Sequence, residues 1–172
     1  MFKAATIAAA ALLITRCMTP VQALRSIDAQ VLLVIVAAFG IGNAMQITGA
    51  AEFIAVQLIG LGGGNPWLVL SIIYITTSIL TEMVTNNAAA LLLFPIAMAT
   101  SNQMGISPTP FVFAIMMGAS ASFATPIGYQ CNMMVYGPGG YRFKDFLKIG
   151  VPMNLLMWLV ASLLIPLIWP FK

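Results

Sequence analysis

The chain has 172 residues, of which 61% are hydrophobic and only 6% charged, whereas a soluble domain carries about a quarter charged residues. Such a sequence cannot clothe an aqueous surface, and it reads as an all-α polytopic membrane protein with one transmembrane domain over residues 1–172. Its net charge of +3 comes without a Lys/Arg cluster and its histidine count is zero, which argues against a nucleic-acid partner and removes histidine bases and ligands.

The N-terminal apolar run, Ala4–Thr15, resembles a signal peptide but is followed by Thr15-Arg16-Cys17-Met18-Thr19-Pro20, which has no small-residue cleavage site. It reads as a short membrane helix (1–15), a first hint that the chain begins partway through a larger protein. In the connector 16–28, Thr19-Pro20 suits an N-cap and first helical position. Asp28 is placed to cap the next helix (29–48), a full span whose Gly40-Ile41-Gly42-Asn43 section suits close helix packing. A shorter piece (50–61) carrying Glu52 and Gln57 suits an interfacial helix, and Gly62-Gly63-Gly64-Asn65-Pro66 ends it in a turn. That turn lacks the Lys-Ser/Thr of a phosphate-binding loop. Cys17 and Cys131 both border apolar helices and read as small buried hydrophobes.

Residues 66–100 hold the most informative stretch. Two apolar runs, Pro66–Leu80 and Ala88–Thr100, flank Thr81-Glu82-Met83-Val84-Thr85-Asn86-Asn87. Each run is shorter than the roughly 20 residues that cross a bilayer core. The spacing predicts either a re-entrant hairpin with a polar tip at mid-membrane or one continuous helix, Trp67–Thr100, whose polar turn faces other helices. A broken helix (109–136) follows, interrupted at Ala124-Thr125-Pro126-Ile127-Gly128-Tyr129-Gln130. An ordinary Pro-kinked helix is the plainer alternative. A basic loop, 137–145, precedes the last span (149–170), where Trp158 and Trp169 are available as interfacial anchors.

Charge separates the two hairpin readings. With a re-entrant hairpin, Arg16, Arg25, Arg142, Lys144 and Lys148 fall on one face, while the connectors 49–66 and 101–108 on the other contain no Lys or Arg. The positive-inside rule makes the basic face cytoplasmic, so the hairpin opens from the outside. A continuous helix would split the basic residues between the two faces.

The segment Ala119-Ser-Ala-Ser-Phe-Ala-Thr-Pro-Ile-Gly-Tyr-Gln-Cys-Asn-Met-Met-Val135 resembles, at every position, the signature of the divalent anion–sodium symporters. Thr85-Asn86-Asn87 is similar to that family's Ser-Asn-Thr hairpin tip: Thr85 stands for Ser, Asn86 is kept and Asn87 replaces Thr with a bulkier amide. The segment from Thr19 to Ala51 is similar to the one that precedes the outer hairpin.

The resemblance covers the whole chain but only the C-terminal one of two inverted repeats. It implies secondary transport of sulfate, a dicarboxylate or citrate, coupled to sodium, in the cell (inner or plasma) membrane. The partners it implies are a small anion, sodium, lipid, the N-terminal repeat of the same transporter, and a second copy in a homodimer when complete. No cofactor beyond the sodium ion is expected. The substrate and ion residues implied are Thr85, Asn86, Asn87, Ala124, Thr125, Pro126 and Asn132, with Glu82 secondary; sodium falls to Thr85, Asn86, Ala124 and Thr125. A hairpin-bearing domain would move against a scaffold of Ala4–Thr15, Ala29–Ile47 and the final span. The anion and the choice of Na⁺ or H⁺ are left open. The other readings are a non-transporting truncated or split subunit needing a separate N-terminal half, a channel, and an intramembrane enzyme. The last is opposed by the lack of His, of a Ser or Cys beside a base and of paired carboxylates.

Overall fold

Proline and glycine set most of the helix boundaries. The computed structural model describes residues 2–27 and 29–172, and among them 76% are helical and none forms a strand. The contacts divide the chain into two compact units, residues 1–34 and 35–172.

The first unit holds α1 (Phe2–Ile14), α2 (Pro20–Arg25) and the start of α3 (Ala29–Ile47). Thr19 caps α2: its Oγ1 accepts from the Gln22 N–H at 3.3 Å, and Gln22 Oε1 accepts from the Thr19 N–H at 2.9 Å. Pro20 sits in the first turn, where its missing N–H costs nothing. The expected cap at Asp28 lies outside the described residues.

In the second unit, α3 turns through 77° into α4 (Ala50–Leu61). The bend leaves Ala51 and Ala55 buried and Glu52 and Gln57 exposed. Gly42 is buried against Pro95, while Gly40 faces open space. There follow α5 (Pro66–Thr81), α6 (Asn86–Met104), α7 (Thr109–Ser120), α8 (Gln130–Tyr136) and α9 (Phe143–Ile168). The core lies where α5, α6, α7 and α9 meet, around Tyr74, Phe111, Leu70 and Ile73. Gly118 brings α7 close to α5, because a Cβ there would stand 2.9 Å from the Tyr74 carbonyl oxygen.

Three boundaries differ from expectation. The helix after the polar turn, α6, continues to Met104 rather than Thr100, ending at Gly105 in the left-handed conformation. The break begins at Ala121 rather than Ala124. The last helix begins at Phe143, since the Asp145 carboxylate accepts from the Arg142 N–H at 2.8 Å and starts the helix inside the basic loop. At 26 residues, α9 passes the length and hydropathy test for a membrane span by itself. Cys17 and Cys131 are free and exposed rather than buried. Trp158 is turned inward, its Nε1–H donating to Ser71 Oγ at 2.9 Å. Trp169 stacks on Phe113 at a 3.7 Å ring separation.

Candidate transport site

Two interruptions of helix, residues 82–85 and 121–129, are brought together. On α5, Ser78, Thr81 and Glu82 stand three and four positions apart and so share one face. That face meets the end of α7, whose last carbonyls have no partner within their own helix. Ser78 Oγ donates to the Ala121 carbonyl at 3.1 Å, and Thr81 Oγ1 donates to the Ala119 carbonyl at 2.8 Å. Thr81 Oγ1 also lies 2.8 Å from Asn86 Oδ1. A hydroxyl has one proton, so both contacts are satisfied when the Asn86 amide turns to donate and Thr81 accepts.

The break answers in the other direction. The Ala124 N–H donates to Glu82 Oε1 at 2.9 Å, and Thr125 Oγ1 donates to the Glu82 carbonyl at 3.2 Å. Thr125 Oγ1 accepts from the Gly128 N–H at 3.2 Å. From α8, Asn132 Nδ2 donates to the carbonyls of Thr125 at 3.1 Å and Ser122 at 3.4 Å. From α9, Asn154 Nδ2 donates to Glu82 Oε1 at 2.8 Å. Gly150 lets α9 lie directly on this segment, because a Cβ there would overlap the Phe123 carbonyl.

Glu82, Ala124, Thr125 and Asn132 therefore share one hydrogen-bond network, to which Asn86 is tied through Thr81. Pro126 is buried at the same break. Thr85 is exposed at the N-cap of α6, its Oγ1 accepting from the Ala88 N–H at 3.4 Å, and Asn87 beside it is exposed. Neither is bonded to the break among the described residues. Sequence reasoning missed Ser78, Thr81, Ser122 and Asn154. The i, i+3, i+4 polar face of α5 could have revealed the first two, and a lone amide inside an apolar span could have revealed the last.

Chemically, the junction offers oxygens and helix-end N–H groups, and among the described residues no basic side chain is bonded to them. No donor among the described residues meets the Ala124 carbonyl, whereas the Thr125 carbonyl accepts from Asn132 and the Thr85 hydroxyl accepts from the Ala88 N–H.

The sequence model of a family described as "Citrate transporter" matches residues 1–172. The chain is 38% identical over 160 residues to an uncharacterized transporter of Synechocystis, covering 92% of this chain and 26% of that protein. It is 40% identical over 167 residues to sodium/sulfate cotransporter 2 of Chlamydomonas reinhardtii, covering 96% of this chain and 19% of the relative. It is 25% identical over 127 residues to human solute carrier family 13 member 4, covering 74% of this chain and 20% of the relative. The chain thus spans between a fifth and about a quarter of the length of these relatives. With the family match running the full length of the sequence, the chain belongs to the citrate transporter family, whose members are integral membrane transporters and not enzymes.

Proposed function

We propose that this chain contributes one of two opposing repeats to a sodium-coupled transporter of a divalent or carboxylate anion. The observation that supports this most directly is the hydrogen-bonded junction between the turn at 82–85 and the break at 121–129. Irregular backbone at membrane depth is tolerated only against protein or a water-filled cavity, and paired interruptions of this kind are where carriers hold their cargo. The anion meets the N-terminus of α6, worth about half a positive charge, and is bonded by Thr85, Asn86 and Asn87. Sodium, when bound, supplies the remaining positive potential and is held by oxygens of Thr85 and Asn86 with the backbone carbonyls of Ala124 and Thr125. Pro126 keeps the break from rewinding and Asn132 braces it. Glu82 is the secondary ion candidate.

In this reading α5 and α6 form a re-entrant hairpin open to the outside, and the basic residues Arg16, Arg25, Arg142, Lys144 and Lys148 face the cytoplasm. The final span travels with the hairpin rather than with the scaffold. Asn154 and Trp158 bond it to Glu82 and Ser71, and the Trp169–Phe113 stack fixes its far end. That leaves Ala4–Thr15 and Ala29–Ile47 as scaffold. The second reading, a non-transporting truncated or split subunit, differs in being silent without a separate N-terminal half.

Uptake of labelled sulfate, succinate and citrate into proteoliposomes, with and without a sodium gradient, tests both readings. The expected outcome is sodium-dependent uptake only when an N-terminal half is co-reconstituted, lost on Asn86→Ala. Uptake without sodium dependence would indicate a channel, and none in either form would overturn the transporter reading for this chain.

A further inference from the structure

Glu82 is bonded on one side only. Its Oε1 accepts from the Ala124 N–H and from Asn154 Nδ2, while Oε2 is buried without a partner. The Asn154 amide has the complementary defect: its nitrogen is used, and its buried Oδ1 has no donor. Each bare oxygen therefore belongs to one end of the same 2.8 Å hydrogen bond. A third oxygen lies alongside, because a Cβ on Gly128 would overlap Ser122 Oγ and stand 3.3 Å from Glu82 Oε2. Ser122 is fully buried, and its hydroxyl makes only a long 3.5 Å contact to the Thr81 carbonyl.

A buried carboxylate without a compensating charge is strongly disfavoured. Among the described residues, no basic side chain is bonded to this one. α6 and α7 carry no charged side chain, and Lys144 and Lys148 on α9 are exposed, as is Asp145. Acceptor oxygens cannot satisfy one another. A carboxylate, an amide carbonyl and a hydroxyl together are hard oxygen ligands, and their single negative charge matches a single positive one.

We propose that Glu82 Oε2, Asn154 Oδ1 and Ser122 Oγ bind a monovalent metal cation, in a position separate from the hairpin tip and bridging α5, the break and α9. The inference deepens the sodium-coupled reading and rests on it for the choice of sodium. The Ala124 peptide links the two positions: its N–H faces Glu82, and its carbonyl is the one offered to the tip site. Occupancy here ties α9 to the break and so stabilises the backbone geometry on which the tip depends.

The test is thermal unfolding of the purified full chain in detergent, in NaCl against choline chloride at constant ionic strength and pH. At about 100-fold excess over the dissociation constant, sodium should raise the midpoint by roughly 5–10 °C. Glu82→Gln should remove the part of that rise that this position supplies and unfold above the wild type in choline, because the new amide donates to Asn154 Oδ1 without any cation. Asn154→Leu should lose the same part of the response, and Glu52→Gln, at an exposed carboxylate of α4, should keep all of it. A response lost in Asn86→Ala but kept in Glu82→Gln would overturn the second position while leaving the tip site intact. No sodium response in the wild type would also overturn it, as would a rise that follows acidification in choline instead of sodium. Anion uptake that is sodium-dependent despite either result would leave the transporter reading standing.

Discussion

Thr81 does more for the junction than its neighbours at the tip. It is fully buried and joins the turn, the end of α7 and Asn86 through one hydroxyl. Thr81→Val keeps the shape but leaves the Ala119 carbonyl without its donor, and should cost about 1–3 kcal/mol in unfolding free energy. Thr81→Ser should restore most of it, and equilibrium unfolding in detergent would measure both. At this scale the sequence was legible where chemistry is local. Glu82 declares itself as a carboxylate in an apolar stretch and Thr19 as a cap, because each is read against its immediate neighbours. Asn154 does not, since its partner is 72 positions away and its own surroundings are uniformly apolar. The inward turn of Trp158 was hidden for the same reason, because Ser71 lies 87 positions from it.

Among the elements, the contact of α5 with α7 is the tightest constraint. Gly118→Ala would place a Cβ 2.9 Å from the Tyr74 carbonyl oxygen, so one helix must move. The expected loss is about 1–3 kcal/mol, whereas Gly40→Ala, with nothing within 4 Å, should be near neutral or slightly stabilising. Comparing the two midpoints separates a packing effect from the general effect of adding a methyl group to a helix. Helix boundaries written in Pro and Gly, such as Thr19-Pro20 and Gly62–Pro66, were readable from composition. The early break at Ala121 was not, because the donors that satisfy the freed carbonyls come from α5, 43 positions away at Ser78. The start of α9 was obscured by its charges, which look like a loop until Asp145 is seen as a cap.

For the whole molecule, the proposed orientation, with the basic residues cytoplasmic, is open to a direct test. With Cys17 and Cys131, both exposed, replaced by Ala, Asn102→Cys should react with an impermeant maleimide in intact cells. Lys144→Cys should react only after permeabilisation, and the opposite pattern would reverse the orientation. A composition this poor in charge made membrane residence readable from the outset, and the basic residues made one orientation preferable, but the bonds from α9 to Glu82 and Ser71 could be read only from three-dimensional contacts. The junction itself has a consequence for its own geometry. Between Ser78 and Glu82, just over one turn of helix, α5 is fastened to residues 119–125 by bonds running in both directions. The turn and the break are held against each other by several bonds rather than one. The spacing of the two segments, and with it the shape of the junction, is thus set by the same few bonds.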